Sequence, residues 1–431
     1  MKFHLTLIVF LLAIPIAFGE VKTTLANQTI SRPLLINSDD ADAFLSQGKI
    51  YKNQGKLDLA LANFERAIWL NSRIFETYSS RGLLYYERGK LKLALADRQR
   101  AAKFISSIKD AYFHRGLVHK NLGKLQLAIA DLSRAIEFEP DEAQIHYHRG
   151  SVYYKRDRLG LALADYDKAI QLNPNLAEVY YSRGVLYDSR EQLGLALADY
   201  DKAIQLNPNL ANAYINRGVL YDSQGKVELA LADYDKAIQL NPDDTYAYYN
   251  RGLVYKNQGK VELALANFNR VIKLNPNDAG AHYNRGEIYH DLGKVELAIA
   301  YYSRTIELNP NDTYAYYNRG FLYAERNQLN LALADFNKII SIDPNSADAY
   351  AHRGVLYLDF EKWQLALTDL KKAIVINPDL AEAFAGLGVV YQQMGNFEAA
   401  RFNWQKAQQL SIAQGNNRLT EEITTLLKEL P

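Results

Sequence analysis

The chain has 431 residues, with 50 lysine and arginine residues against 49 aspartate and glutamate residues, and a formal net charge of +1. This near balance argues against a nucleic-acid partner and against strong electrostatic binding to a membrane. The sequence contains no cysteine, which excludes disulfides, thiol catalysis, cysteine-ligated metals and a lipid-modified cysteine anchor. Length alone would favour about two or three globular domains.

Residues 1–19 are predicted to form a cleaved secretory signal peptide. Lys2 precedes an apolar run that ends at Phe18, and the small residues Ala17 and Gly19 stand two apart, as a signal-peptidase site requires. The run is short for a transmembrane helix, so an uncleaved N-terminal anchor is the alternative. Either interpretation places the rest of the chain outside the cytoplasm, in a periplasmic or secreted location.

Residues 20–40 are predicted to be a flexible leader, because they are polar, contain Pro33 and show no helical period. Eleven repeats of 34 residues then occupy residues 41–414 without a gap. Repeats 1 to 11 begin at residues 41, 75, 109, 143, 177, 211, 245, 279, 313, 347 and 381. Position 8 is glycine and position 20 is alanine in every repeat. The sequence therefore predicts one array of stacked repeats and not two or three globular domains.

Repeat 7 illustrates why each repeat is predicted to form two packed helices. Tyr248, Gly252 and Tyr255, at positions 4, 8 and 11, share one helical face because they are four and three residues apart. Ala264 and Phe268, at positions 20 and 24, share one face of a second helix in the same way. The small glycine and alanine let the two helices approach closely while the aromatic residues fill the space beside them.

The turn and the end of repeat 7 complete the pattern. Gly259 suits a helix end that needs a left-handed residue, and Pro276 cannot continue a helix. These residues resemble the consensus of the tetratricopeptide repeat (TPR), although Arg251 stands where that consensus usually has leucine. The resemblance implies an all-α fold, a TPR α-solenoid in which antiparallel helix pairs form a right-handed superhelix. It also implies a protein-interaction scaffold and not an enzyme.

Two departures from the repeat pattern lead to further predictions. Arg98 occupies position 24, where the other repeats carry phenylalanine, tyrosine, leucine or tryptophan, and His119 replaces tyrosine at position 11. Repeats 2 and 3 are therefore predicted to pack less well, with Arg98 laying its stem over the core and keeping its charge in water. Residues 415–431 are predicted to form a C-terminal capping helix whose apolar stripe, which includes Ile423, covers the open end of the array.

Arginine recurs at position 7 of nine successive repeats, from Arg81 to Arg353, beside the core-facing glycine. A buried arginine needs a partner, and aspartate recurs at position 23 of most repeats, for example Asp199. We predict arginine–aspartate pairs within or between neighbouring repeats. Hydrogen bonds from arginine to backbone carbonyls or to water are the alternative.

Catalytic and metal-binding patterns are missing from the sequence. It has no glycine-rich phosphate loop, no serine–histidine–aspartate arrangement in a strand–turn–helix context and no HExxH motif. His114, His119, His146 and His148 cluster in repeats 3 and 4, but their spacing does not suit shared ligation of one ion. We therefore predict packing or surface histidines, no metal, no cofactor and no enzymatic activity.

In the TPR family, positions 2, 5, 6, 9, 12 and 13 line a concave groove, and the resemblance carries this assignment to the present chain. The candidate peptide-binding residues are tyrosines at positions 2 and 5 and asparagines at position 6: Tyr181, Asn216, Tyr246, Tyr249, Asn250, Tyr283, Asn284, Tyr314, Tyr317 and Asn318. An asparagine amide matches the C=O and N–H groups of an extended peptide, and tyrosine offers a broad, rigid contact. The arrangement resembles the groove of the O-GlcNAc transferase repeat domain; the alternative is that it reflects recent repeat duplication.

These patterns predict a non-enzymatic scaffold that binds a protein or an extended peptide segment in its concave groove, outside the cytoplasm. The alternative is a cell-envelope polysaccharide-binding or assembly module, because rows of tyrosine and asparagine also suit sugars. Chaperone-tail binding is disfavoured, since no repeat has lysine at position 5. Alanine substitutions at Asn250 and Asn284 are expected to weaken an extended ligand by roughly 2 kcal/mol. The fold is expected to survive, because position 6 lies off the face formed by positions 4, 8 and 11.

Overall fold

The computed structural model describes residues 38–70, 75–101 and 108–430. Every regular element in these ranges is an α-helix, and the ranges contain no β-strand. The all-α fold class is therefore confirmed. The predicted signal peptide and leader lie outside the described residues apart from the last three leader positions, so these two segments stay predictions. None of the described helices is long and apolar enough to span a membrane.

The chain divides into two compact units, residues 1–127 and residues 128–431. The helices that begin in the first unit are α1 (Ser38–Asn53), α2 (Leu57–Leu70), α3 (Phe75–Glu87), α4 (Leu91–Ala101), α5 (Ile108–Asn121) and α6 (Leu125–Phe138). The helices of the second unit that belong to repeats 4 to 7 are α7 (Ala143–Lys155), α8 (Leu159–Leu172), α9 (Ala177–Asp188), α10 (Leu193–Leu206), α11 (Ala211–Ser223), α12 (Val227–Leu240), α13 (Thr245–Asn257) and α14 (Val261–Leu274).

Repeats 8 to 11 and the C-terminal segment follow in the second unit. Their helices are α15 (Ala279–Asp291), α16 (Val295–Leu308), α17 (Thr313–Glu325), α18 (Leu329–Ile342), α19 (Ala347–Asp359), α20 (Trp363–Ile376), α21 (Ala381–Gln393), α22 (Phe397–Ala413) and α23 (Asn417–Glu429). From α7 onward each first helix packs against the second helix of its own repeat, and each second helix packs against the next repeat. This is the nearest-neighbour stacking of an α-solenoid.

The glycine at position 8 brings the two helices of a repeat together. A Cβ atom added to Gly184 would lie 2.8 Å from Cε1 of Tyr200, the position-24 residue of the same repeat. Tyr200 and Ala196, at positions 24 and 20, are both fully buried. A larger residue at position 8 would push this ring out of the core, which explains why glycine recurs there.

The predicted arginine–aspartate pairing is confirmed. Arg183 donates from Nε to Oδ2 and from Nη2 to Oδ1 of Asp199, at 2.8 Å each. Among the contacts of the described residues, the same two-pronged arrangement is seen in the pairs Arg81–Asp97, Arg149–Asp165, Arg183–Asp199, Arg217–Asp233, Arg319–Asp335 and Arg353–Asp369. All six aspartates are buried, so each pair is a charge-assisted contact removed from water.

The third nitrogen of the arginine reaches the preceding repeat. Nη1 of Arg183 donates to Oδ1 of Asp167, at position 25 of repeat 4, over 2.6 Å. Nη1 of Arg217 does the same to Asp201 of repeat 5, also over 2.6 Å. One guanidinium thus joins the second helices of two successive repeats. We call this set of contacts the arginine clamp.

The clamp varies where the repeat sequence varies. In repeat 7 position 23 is Asn267, which accepts from Nε of Arg251 over 2.9 Å. In repeat 8 position 23 is Tyr301, and the guanidinium of Arg285 lies over its ring at 4.2 Å from the ring centre. Arginine therefore finds a polar or aromatic partner even where the aspartate is lost.

Burial and hydrogen bonding act in opposite directions on the clamp carboxylates. Burial alone would raise the pKa of Asp165, but hydrogen bonds from Arg149 and His146 outweigh it and lower that pKa. At Asp335 burial prevails over the hydrogen bond from Arg319, and the pKa is raised. The additional histidine contact distinguishes the two sites, since Nδ1 of His146 lies 3.3 Å from Oδ1 of Asp165.

Arg98, in the first compact unit, does not keep its charge in water as predicted. It is 6% exposed, and its Nη1 donates to Oγ of Ser79 over 2.6 Å. Burial lowers the pKa of Arg98 to about 10. Burial, together with the positive charge of Arg98, lowers the pKa of His114 to about 4. A cavity of about 40 Å³ lies between these two side chains and Tyr86, so the core here is not filled completely.

The last repeat ends against the C-terminal helix α23. Ile423 of this helix is fully buried and packs in one cluster with Trp404 and Ala407 of α22. Trp404 is also fully buried, and its indole Nε1 donates to the carbonyl oxygen of Ala385 over 3.1 Å. Without α23, the apolar residues of repeat 11 that face it would lie in water.

Candidate functional site

Side chains at several predicted groove positions of the second compact unit lie close together. The clearest case is a cavity of about 240 Å³ to which three successive repeats contribute. Six of its lining residues stand at predicted groove positions. They are Phe321 (position 9) of repeat 9, Ala351, His352, Val355 and Asp359 (positions 5, 6, 9 and 13) of repeat 10, and Glu382 (position 2) of repeat 11. Side chains at predicted groove positions of three successive repeats thus lie around one cavity at this point of the array.

Most of the predicted asparagines and tyrosines bond to one another across repeats. Nδ2 of Asn284 donates to the hydroxyl of Tyr249 over 3.1 Å, and Nδ2 of Asn318 donates to the hydroxyl of Tyr283 over 3.0 Å. Nδ2 of Asn216 lies 3.4 Å from the hydroxyl of Tyr181. In these three cases position 6 of one repeat bonds to position 5 of the repeat before it. We call these three pairs the asparagine–tyrosine ladder.

Asn284 shows that the ladder has a structural role. It is 5% exposed, its Nδ2 also donates to the carbonyl oxygen of Gly280 over 2.9 Å, and its Oδ1 accepts from Nζ of Lys256 over 2.7 Å. The expectation that position 6 lies away from the packed surfaces is therefore wrong at this residue. A buried amide with all its groups paired stabilises the contact between repeats 7 and 8, and its removal leaves partners unsatisfied.

Asn250 is the exception in the row of asparagines. Position 5 of the preceding repeat is Ile215, which has no hydroxyl, so Asn250 has no ladder partner. Its Nδ2 donates instead to the carbonyl oxygen of Tyr246 on its own helix, over 3.0 Å, and its Oδ1 accepts no hydrogen bond from a described residue. Asn250 is half-buried, so this oxygen remains available to a ligand.

The predicted tyrosines fall into two groups. Tyr249 and Tyr283 are half-buried, and their rings lie 5.8 Å from Phe268 and 5.7 Å from Tyr302, respectively. Burial raises the pKa of both phenols. The tyrosines at position 2 differ, because Tyr246 is 74% exposed and Tyr314 is 75% exposed. Their rings are open aromatic surfaces.

Tyr317, at position 5 of repeat 9, contacts a histidine in the next repeat and not an asparagine. Position 6 of repeat 10 is His352, and its Nε2 lies 3.1 Å from the hydroxyl of Tyr317. Nδ1 of the same ring lies 2.8 Å from the carbonyl oxygen of Asp348, which makes Nδ1 the donor there. Nε2 therefore accepts from the tyrosine, and the histidine continues the pattern of bonds between repeats.

The groove positions carry an excess of negative charge that the whole-chain balance conceals. Positions 2, 5, 6, 9, 12 and 13 of repeats 4 to 11 contain nine carboxylates and two lysines, Lys155 and Lys256. The carboxylates are Glu178, Asp188, Asp222, Glu287, Asp291, Glu325, Asp348, Asp359 and Glu382. Lys256 is itself paired with Glu287, over 2.7 Å. A ligand of this groove therefore meets an acidic surface.

The histidines predicted to pack do so where the structure resolves their contacts. Nε2 of His146 lies 2.8 Å from the carbonyl oxygen of Pro140, and its Nδ1 faces Asp165 of the arginine clamp. Within the described ranges, no group of three histidine, aspartate or glutamate side chains is placed to hold a metal ion.

Several solved structures are similar to this chain. YrrB, described as a TPR protein with an unusual peptide-binding site, is 36% identical over 43% of this chain and 95% of its own, with a TM-score of 0.38. Yeast Tom70 is 17% identical over 90% of this chain and 95% of its own, with a TM-score of 0.40. A tetratricopeptide repeat protein from Parabacteroides merdae ATCC 43184 is 24% identical over 58% and 97%, with a TM-score of 0.41. No curated protein matched the chain.

Family models match most of the repeat array. Models described as tetratricopeptide repeats match residues 45–107, 177–210, 199–232, 249–313 and 286–356. A further model, described as a TPR repeat, matches residues 121–157, 150–188, 220–259 and 361–395. Together these matches overlap each of the eleven repeats identified from the sequence. The chain belongs to the tetratricopeptide repeat family.

Proposed function

We propose that this protein is a non-enzymatic scaffold that binds an extended segment of a partner protein in its concave groove. TPR proteins bind protein or peptide partners, and that coarser role follows from membership of the family. The groove of repeats 4 to 11 is the proposed binding surface. The mechanism is recognition alone: exposed rings and unpaired polar atoms contact the ligand, while the ladder and the clamp hold the repeats in register.

The exposure of Tyr246 and Tyr314 is the observation that carries this proposal. Both are at position 2, in repeats 7 and 9, and about three-quarters of each side chain is open to water. Large aromatic side chains exposed in this way are typical of contact residues, because they bury much area and lose little rotamer entropy. Asn250 adds a free carbonyl oxygen beside Tyr246 for a backbone N–H of the ligand.

We assign the predicted site residues to two roles. Asn216, Asn284 and Asn318 bond to tyrosines of the preceding repeat, so we assign them to holding the groove in shape. Tyr246, Tyr314 and Asn250 are assigned to direct contact with the ligand. The double substitution of Asn250 and Asn284 would therefore mix a binding effect with a stability effect, and different variants are needed.

The test is capture of a ligand from cell-envelope extract, followed by titration against variants. The double variant Tyr246→Ala/Tyr314→Ala is expected to bind the captured ligand about 30-fold more weakly, because each exposed ring contributes on the order of 1 kcal/mol as an anchor. Asn250→Ala is expected to weaken binding about fivefold. Circular dichroism should show unchanged helicity, since none of these side chains is buried.

A matched control is available on the second helices. Leu229 and Leu263 are half-exposed, and Leu229→Ala/Leu263→Ala removes exposed apolar surface from the second helices, away from the groove positions. This control should leave the affinity unchanged. Equal affinities for the wild type, the tyrosine double variant and Asn250→Ala would contradict the groove as the binding surface.

A polysaccharide ligand is the second candidate, and the exposed tyrosine rings favour it because such rings stack on sugars. Protease treatment of the ligand fraction before capture separates the two classes. Loss of binding supports a protein ligand, whereas binding that survives proteolysis supports a glycan.

We also propose that the protein acts outside the cytoplasm. This rests on the signal-peptide pattern of residues 1–19, in which Lys2 precedes an apolar run that ends in small residues. N-terminal sequencing of the protein recovered from its cells is expected to begin at Glu20. A chain that retains Met1 and fractionates with the cytoplasm would contradict the proposal, and one that retains Met1 in the membrane fraction would indicate an anchor.

A further inference from the structure

The first helix of repeat 10 lacks a side chain that its predecessors supply. Position 5 is tyrosine in repeats 7, 8 and 9, and in repeat 9 the ring of Tyr317 lies 6.1 Å from Phe336. In repeat 10 position 5 is Ala351, which is 1% exposed. The cavity of about 240 Å³ borders this alanine. The missing ring thus corresponds to an opening in the groove surface.

The walls of the cavity are apolar. They include Phe336 and Leu356, which are buried, and Phe321 and Val355, which are 37% and 41% exposed at the mouth. An apolar cavity of about 150 Å³ is large enough to bind benzene, so this one can hold an aromatic or branched aliphatic side chain. The partly exposed Phe321 and Val355 would lose contact with water when the cavity is filled, which favours binding.

The rim of the cavity is acidic. Asp359 and Glu382 line it, both are exposed, and neither carboxylate forms a hydrogen bond or ion pair with a described residue. Glu325 and Asp348 occupy neighbouring groove positions, and the groove positions of repeats 9 to 11 contain no lysine or arginine. Unpaired carboxylates around an apolar opening are complementary to a ligand in which a basic residue flanks an apolar one.

We propose that repeats 9 to 11 recognise a basic stretch of the partner protein that inserts one bulky apolar side chain into this cavity. Lysine or arginine residues beside the inserted side chain pair with Asp359 and Glu382. The inference rests on the proposed function, because it concerns the same groove. It adds the class of ligand, a positively charged extended peptide with an aromatic or branched aliphatic anchor, and the position where the anchor binds.

The probe is a short labelled peptide of glycine and serine that carries one phenylalanine flanked by lysines. Two matched peptides replace the phenylalanine by alanine or the lysines by glutamates. With the full-length wild-type protein, the phenylalanine peptide is expected to bind about 30-fold more tightly than the alanine peptide, as burial of one such side chain implies. The glutamate peptide should not bind measurably. Binding of the lysine peptide should weaken as salt is added.

Substitutions in the cavity test whether the preferences for phenylalanine and for lysine originate there. Ala351→Tyr restores the residue of the preceding repeats and should abolish the difference between the phenylalanine and alanine peptides. Val355→Trp narrows the mouth from an exposed position and should have the same effect even if the tyrosine disturbs packing. Asp359→Asn/Glu382→Gln should weaken the lysine peptide about three- to tenfold at low salt. The control Glu228→Gln/Glu262→Gln removes two exposed charges from second helices and should change nothing.

The outcomes separate this inference from the proposed function. If the lysine peptide binds but the cavity variants keep the preference for phenylalanine, the anchor site is wrong. If Tyr246→Ala/Tyr314→Ala weakens binding in that case, the groove function stands. Equal affinity for the lysine and glutamate peptides overturns the charge argument alone. Failure of all three peptides to bind the wild-type protein overturns the inference, and failure to capture any ligand from the extract would overturn the groove function as well.

Discussion

Replacing Asp199 by alanine is expected to lower the free energy of unfolding of repeat 5 by about 3 kcal/mol. Asp199 is 5% exposed and holds two nitrogens of Arg183 at 2.8 Å each. The hydrogen bond to this carboxylate is the main cause of the raised pKa of Arg183. Without Asp199, the largely buried guanidinium keeps its bond to the exposed Asp167 but loses its buried partner. Amide hydrogen exchange of α9 and α10 measures the effect, because it reports the stability of each repeat separately.

Two companion variants make the prediction specific. Asp201→Ala removes the exposed position-25 partner of Arg217. It should lower the free energy of unfolding by about 1 kcal/mol or less, because an ion pair with an exposed carboxylate contributes little. Asp199→Asn should cost less than Asp199→Ala, since Asn267 already accepts from Arg251 at the equivalent position of repeat 7. Equal protection of α9 and α10 in wild type and Asp199→Ala would show that the clamp does not contribute to stability.

Replacing Trp404 by alanine is expected to cost about 3–5 kcal/mol, the usual range for removal of a large buried aromatic side chain. Trp404 is fully buried, packs with Ile423 of the C-terminal helix and donates to the backbone of α21. The loss should be local, because repeats in a solenoid contact only their neighbours. Helices α21 to α23 should therefore exchange fast while α13 to α16 keep their protection.

Phe402 provides the control for Trp404 on the same helix. It is 66% exposed, so Phe402→Ala should change the stability of repeat 11 by no more than about 0.5 kcal/mol. Uniform loss of protection along the whole second unit in Trp404→Ala would contradict independent repeats. Unchanged protection of α23 would contradict its role as a cap.

The sequence predicted the features that recur with the period of the repeat. Glycine at position 8 and arginine at position 7 occur so regularly that their partners, Tyr200 and Asp199 for example, could be inferred from positions on two helices of one repeat. The ladder was missed because Asn284 and Tyr249 belong to different repeats and are 35 residues apart. A signal was nevertheless present, since a tyrosine at position 5 precedes each ladder asparagine by one repeat.

Single departures from the pattern were harder to predict. Arg98 is predicted to reach water, but its guanidinium is buried and donates to Ser79. The repeat period gives the position of a side chain on its helix but not how far neighbouring side chains cover it. The cavity that repeats 9 to 11 form also borders a departure from the pattern, Ala351, at a position where repeats 7 to 9 have tyrosine. Its volume depends on the rings around it, so the sequence shows the missing tyrosine without showing the space that it leaves.

Because the arginine clamp joins a repeat to the one before it, we expect its contacts to form in chain order during synthesis. Arg217, for example, bonds both to Asp201 at position 25 of the preceding repeat and to Asp233 of its own repeat. Domains generally fold from the N-terminus as the chain emerges. A repeat that has already folded therefore displays its position-25 side chain as a ready contact for the next arginine. We therefore expect this ionic contact to help dock a newly made repeat on its predecessor and to shorten the time for which its apolar face is exposed.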